Sequence, residues 1–170
     1  MDTIRADEAR LRAGAEYLSA LRSLGFEPDG LFWAWDKQDE VFVLLLVSAF
    51  YDVAGPLSLS KLLFKAYNAS ITPKEIDPFI VRLHSPLQTY IRSIHDEMFL
   101  KRVTVREWDD DIGGLGKPYL VQDKAVVSTV NDVYQVVLND IYYLKERKQK
   151  LDAVERKWRL VNRNLDALAA

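Results

Sequence analysis

Apolar residues recur along this chain with two different periods, and the switches between them divide it into elements. From position 3 to 24, Ile4, Leu11, Leu18 and Leu21 mark a stripe at helical spacing, and Ala6, Ala13, Ala15 and Ala20 add helix propensity. Gly25 stands where a C-terminal helix cap is expected. Phe26-Glu27-Pro28-Asp29-Gly30 then reads as a turn-rich link. LFWAWD (31–36) predicts a short strand, and Lys37-Gln38-Asp39-Glu40 suits a hairpin loop before the most apolar run of the chain, Val41 to Tyr51. Ser48 is the single non-apolar residue of that run. A bilayer span needs about 20 apolar residues, so the run is too short to cross a membrane. Its β-branched and aromatic content favours a strand. Val41, Val43, Leu45 and Val47 occupy one face, and Phe42, Leu44, Leu46 and Phe50 the other. A strand apolar on both faces lies inside a sheet covered on both sides. Trp33 and Trp35 share a face of the preceding strand, which reads as core packing.

Gly55-Pro56 breaks the chain, and Leu59, Leu62, Leu63 and Ala66 follow at i, i+3, i+4, i+7, predicting a helix that ends near Asn68. Thr72-Pro73-Lys74-Glu75 resembles a capping box, with Pro78 leaving room for about one turn. FIVRL (79–83) predicts a strand stopped by Ser85-Pro86. Leu87, Tyr90, Ile91, Ile94 and Met98 mark another amphipathic helix. KRVTVREW (101–108) alternates like a strand, Asp109 to Pro118 forms an Asp-Gly loop, and Tyr119 to Val127 suits a weaker strand or hairpin. The connection from 52 to 78 is long enough to return a strand parallel to the central one.

Residues 129–168 contain neither Gly nor Pro, and Ser128 or Thr129 stands ready as a cap. One straight helix of that length would extend about 60 Å, against a diameter of roughly 40 Å for a globule of this size. Val130, Val137, Leu144, Leu151, Trp158 and Leu165 lie seven apart. The stripe is wide at first and then narrows to a seam completed by Val154, Val161 and Leu168, a coiled-coil pattern. Ile4, Leu11 and Leu18 repeat the sevenfold spacing in the first helix. The expected fold is therefore α+β (or α/β): a mixed β-sheet covered by helices, with a long C-terminal helix pairing with the N-terminal helix or a partner. A core of 26–127 would carry 1–25 and 128–170 as a helical stalk or layer of the same single domain. Leu144, Leu151, Val154, Trp158, Val161 and Leu165 are the candidate interface residues, and a homodimer or a protein partner is the expected assembly.

Composition bounds the rest. The 170 residues are 49% hydrophobic and 28% charged, ordinary values for a globular protein. The chain has no Cys, which excludes disulfides, thiol nucleophiles and thiolate zinc sites. MDTIRADEARLR places charges where a signal peptide needs an apolar core, so a cytoplasmic protein without membrane attachment is expected. The net charge is −2, but 145–163 carries eight bases against three acids. Such a helix could contact nucleic-acid phosphates. The favoured reading is a solvated face, because Glu146–Lys150, Asp152–Arg156 and Glu155–Arg159 are spaced as i, i+4 pairs.

Few residues suggest chemistry. Gly113-Gly114-Leu115-Gly116-Lys117 falls short of a phosphate loop, since Asp111 occupies the first Gly position and Pro118 the Ser/Thr position. Asp109, Asp110 and Asp111 could bind a hard metal, with Asp52 and His84 as further ligands. His95 reads as an exposed helical residue. The order of helix, strands, helix and strand resembles the core of PD-(D/E)xK nucleases, with Asp52 as the first acid. FIVRL, however, is not followed by the acid-x-Lys which that pattern requires. No G-x-S-x-G occurs. The expectation is a non-enzymatic interaction, scaffold or regulatory protein that needs no cofactor and uses its terminal helices. The alternative is a metal-dependent hydrolase or nuclease using the acidic loop, and the third reading is nucleic-acid binding by the basic helix.

Overall fold

A computed structural model describes residues 4–100, 128–145 and 150–170. The hairpin expected around the central apolar run is its centre. β1 (Gly30–Asp36) and β2 (Val41–Val47) pair antiparallel from Gly30↔Val47 to Asp36↔Val41, with 37–40 as the loop. The strand ends at Val47, just before Ser48 and sooner than the apolar run. The Ser48 hydroxyl accepts the Phe50 N–H at 3.1 Å, which turns the chain into a helix, α2 (Phe50–Asn68). Phe50 and Tyr51 thus begin that helix instead of extending the strand. The predicted Gly55-Pro56 break lies inside it: Gly55 has φ 84° and ψ 160°, a conformation that glycine adopts without strain.

α2 crosses over to β3 (Val81–His84), which lies parallel to β2 as expected. A 3-10 turn at Pro78–Ile80 takes the first part of FIVRL. Asp77 caps that turn by accepting the Phe79 N–H at 2.9 Å. The Thr72-Pro73 segment forms turns and no helix. α3 follows at Thr89–Leu100, close to its predicted place. The strands and loop expected between 101 and 127 lie outside the described residues.

The 40-residue terminal helix is the main correction. Ser128–Val130 (β4) and Tyr134–Val137 (β5) form an antiparallel hairpin, and Tyr143–Leu144 (β6) is a further short strand. Asn131 makes the turn, its side-chain oxygen accepting the N–H groups of Val133 and Tyr134 at 2.8 and 2.6 Å. β5 and β6 both pair with β1, so the sheet order is β3-β2-β1-β5-β4 with β6 beside β5 on the same edge of β1. The segment 128–144 therefore belongs to the sheet, and only Leu151–Ala169 forms the last helix, α4. At 19 residues it makes no projecting stalk.

Helices cover both faces of the hairpin. Leu31, Trp33, Leu44 and Leu46 meet α1 (Glu8–Ser23), α2 and α4 on one side. Phe32, Ala34, Val43 and Leu45 meet Ile91 and Ile94 of α3 on the other. The Trp33 indole N–H donates to the Arg10 carbonyl at 2.9 Å, which ties β1 to α1. α1 starts later than the predicted position 3, with Asp7 capping it by accepting the Arg10 N–H at 2.8 Å; at Gly25 (φ 79°), the predicted C-terminal cap, the chain closes with Phe26 N–H bonded to Leu21 O at 3.0 Å. α4 packs along α2, and its contact with the end of α1 includes a hydrogen bond from Asn164 to the Leu24 carbonyl at 2.8 Å. Val154, Val161 and Leu165 are buried there, and Trp158 stands edge-on to Phe50 at 5.2 Å. The middle of the narrow seam is thus occupied within the chain, while Leu151 and Leu168 at its ends stay exposed.

Asp29 ties these layers together. It is 2% exposed. Its N–H donates to Val47 O, its carbonyl accepts from Lys145 N–H, and its carboxylate accepts the Ala49 N–H, each at 2.8 Å. The carboxylate lies at the start of α2, where a negative charge complements the helix dipole. Replacing Asp29 with Ala orphans a helix-start donor and is expected to lower unfolding free energy by about 1–3 kcal/mol, with a smaller loss for Asp29→Asn. Denaturant titration measures this, and an Asp29→Ala variant as stable as the parent would refute it.

Candidate functional site

In a sheet with a parallel crossover, the carboxyl ends of the strands are where ligands commonly bind. Two residues singled out from the sequence lie at the ends of β2 and β3, Asp52 just after β2 and His84 at the end of β3, each with its own partners. Ser48 N–H donates to the His84 carbonyl at 3.0 Å, closing the two strand ends. Asp52 in the first turn of α2 accepts the Ser85 hydroxyl, which lies 2.8 Å from both carboxylate oxygens. Ser85 is buried and also accepts the Leu87 N–H at 3.1 Å, so it organises the turn into α3. Asp52 therefore fastens α2 to the β3–α3 turn. Among the described residues no group of three His, Asp or Glu side chains could hold a metal. Asp109, Asp110 and Asp111 lie outside the described residues.

His84 belongs to a polar cluster that the sequence did not reveal. Its Nδ1 lies 2.7 Å from Gln88 Oε1. That oxygen can only accept, so Nδ1 carries the proton and Nε2 is left with a lone pair. Nε2 is buried and has no hydrogen-bond partner among the described residues. The ring lies 6.2 Å from that of Tyr90 on α3 and 6.0 Å from that of Tyr134 on β5, and the two tyrosine rings are 5.7 Å apart. β3 and β5 are separated by β2 and β1, so this contact requires a sheet that curls toward α3.

Burial lowers the His84 pKa from its usual value, against the opposing effect of the Gln88 hydrogen bond. Burial also pushes the Tyr90 phenol well above its ordinary range, helped by the neighbouring Tyr134 and opposed by the Asn131 side chain. Tyr134 is raised as well, first by burial, with nearby Arg82 opposing. At neutral pH the cluster is a neutral imidazole between two protonated phenols. It offers hydrogen-bonding groups and aromatic surface but no charged nucleophile. The helical stripe read Tyr90 as apolar, and the mistaken terminal helix absorbed Tyr134; only the pairing of strands puts them together.

The interface candidates separate into two groups. Val154, Val161 and Leu165 are buried in the chain's own core, Trp158 is partly buried against it, and Leu144 on β6 packs against the layer under α3. Leu151 alone stays exposed, at 65%. The basic outer face of α4 shows Arg156, Arg159 and Arg163 to solvent. Neither Asp152–Arg156 nor Glu155–Arg159 forms an ion pair among the described residues; Asp166 instead pairs with Lys65 of α2.

A second apolar surface lies outside the core. The outer face of α2 and the end of α4 border a shallow groove of about 680 Å³ lined by Leu57, Phe64, Ala69 and Ala169, with Lys61 and Lys65 on its sides. Phe79 stands edge-on to Phe64 at 5.0 Å and is 74% exposed, while Leu57 is 67% exposed. Among the described residues no helix is long and apolar enough to cross a membrane. No protein-family model matches the chain, and neither a curated protein nor a solved structure shows significant similarity to it.

The depressed His84 pKa gives stability a direction with pH. The folded state binds this proton less readily than the unfolded state, whose histidine value is 6.5. This contribution to stability is fully present above pH 6.5 and declines as pH falls toward the folded pKa. Denaturant titrations across this range should therefore show a weaker acid-side decline for His84→Gln than for the parent. Parallel pH profiles would refute the assignment.

Proposed function

We propose that the protein is a non-enzymatic interaction module that docks a helical segment of a partner protein in the groove between α2 and the end of α4. The observation that carries this reading is a groove walled by exposed Leu57 and half-buried Phe64, with exposed Phe79 standing edge-on against Phe64. Single exposed apolar residues are common on soluble proteins, whereas a rimmed apolar groove is characteristic of recognition surfaces. An amphipathic helix laid in such a groove inserts anchors at i, i+3 or i+4 and i+7. Charge selects its chemistry. From Val53 to Asn68, α2 carries Lys61 and Lys65 and no acid. Lys65 is held by Asp166, and Lys61 makes no ion pair among the described residues. The complementary partner is therefore an apolar helix flanked by acidic residues. A cytoplasmic setting is part of the same proposal.

The terminal helices enter this reading only through Ala169 at the end of α4, and α1 takes no part in the groove. The middle of the α4 seam is used within the chain, while the C-terminal end of α4 helps border the groove. Self-association through this surface is the competing occupant. Acidic amphipathic helical peptides should bind saturably in a fluorescence titration, and Leu57→Asp and Phe79→Asp should each weaken binding about tenfold or more, as loss of a buried apolar anchor requires. Both positions are exposed, so circular dichroism of the variants should match the parent. Equal binding of charge-reversed basic peptides, or unchanged binding by both variants, would overturn the proposal. A dimeric mass in light scattering that both variants convert to monomer would assign the groove to a second copy instead.

A further inference from the structure

A smaller cavity lies on the other side of the molecule, where α3 faces the end of β6. Its volume is about 60 Å³. A water needs roughly 10–15 Å³ on this measure, so the space suits one small polyatomic ion and excludes a nucleotide or sugar. Ile91 and Leu144 supply apolar wall; Arg92, His95, Asp96 and Lys145 supply polar wall. Arg92, His95 and Asp96 stand at i, i+3 and i+4 on α3, so they project from one side of that helix. Lys145, directly after β6, completes the lining. Its backbone is held by the N–H bond to Asp29 O at 2.8 Å, and its ammonium lies 5.1 Å from the Tyr143 ring centroid.

Two permanent cations and an imidazole thus meet a single carboxylate around one small space. Neither Arg92 nor Lys145 forms an ion pair among the described residues. This balance favours an anion over a cation. The planar guanidinium can present two parallel N–H donors to an oxyanion, and Lys145 adds a second positive charge to the cavity lining. We propose that the cavity between α3 and β6 binds a small oxyanion of phosphate size, clamped between Arg92 and Lys145 with His95 as an additional hydrogen-bonding group. This site is separate from the partner groove, and neither proposal depends on the other.

The chain has only two histidines, which makes proton NMR a direct test. Inorganic phosphate titrated at constant ionic strength should move the His95 ring signals saturably and leave those of His84, packed against Tyr90 and Tyr134, in place. Arg92→Gln and Lys145→Gln should each weaken phosphate binding about tenfold, the loss expected for a charge-assisted hydrogen bond, and Asp96→Asn should strengthen it. All three replaced side chains are solvent-exposed, so a near-parental His84 spectrum would verify that each variant keeps its fold. Glycerol phosphate that competes as well as phosphate would assign the cavity to an ester-borne group; failure to compete would assign it to a free oxyanion. The proposal is overturned if phosphate produces no saturable His95 shift, if chloride reproduces the shift, or if the glutamine variants bind like the parent.

Discussion

The architecture depends on one constraint: the β1–β2 pair is buried on both of its faces. Its backbone donors and acceptors cannot turn to water, so both outer edges of the pair must find strands. β3 pairs with β2, while β5 and β6 share the outer edge of β1. The apolar side chains impose a second demand. Leu31, Trp33, Leu44 and Leu46 need one helical layer, and Phe32, Ala34, Val43 and Leu45 need another. One helix suffices under the curled side, where the sheet supplies part of its own cover. The opposite side takes three.

This division explains why α4 lies where it does. A narrow apolar seam on a helix is compatible with a coiled coil and equally with a groove between helices already in place. Val154, Val161 and Leu165 enter such a groove beside α2, and Phe50 meets Trp158 at its edge. Spending these residues inside the chain releases the outer sides of α2 and α4 for other roles. Leu57 and Phe79 then become the informative apolar residues, because burial in this chain's own core does not account for them.

The elements around the hairpin were legible because several local signals agreed. Two-sided apolar alternation and a four-residue polar loop placed the hairpin, while Gly55-Pro56 marked a kink inside α2 and no boundary. Gly25 likewise marked the end of α1 through its backbone geometry. The segment 128–144 was misread because its apolar residues satisfy two periods at once. Val130, Tyr134, Val137 and Ile141 suit a helix, while Tyr134, Val136 and Leu138 suit one side of a strand. Its β-branched and aromatic content suits strands, whereas the absence of Gly and Pro leaves no break in the helical pattern. The Asp52–Ser85 link and the His84–Tyr90–Tyr134 cluster were less accessible still. Their members are separated in sequence and meet through strand order and sheet curvature, neither of which leaves a periodic trace.

The docking of α4 also has a consequence in time. The hairpin joins residues close in sequence, and α2 follows it directly, so this part can assemble from local contacts. The helix that completes their cover arrives from residues 151–169, about a hundred positions after α2 begins. Closing so long an intervening chain carries an entropic cost and places this contact late on the route to the native state. Until then Phe50 and its neighbours present an adhesive surface to other unfinished chains. The cover of Phe50 is thus completed by a helix about a hundred residues away in sequence.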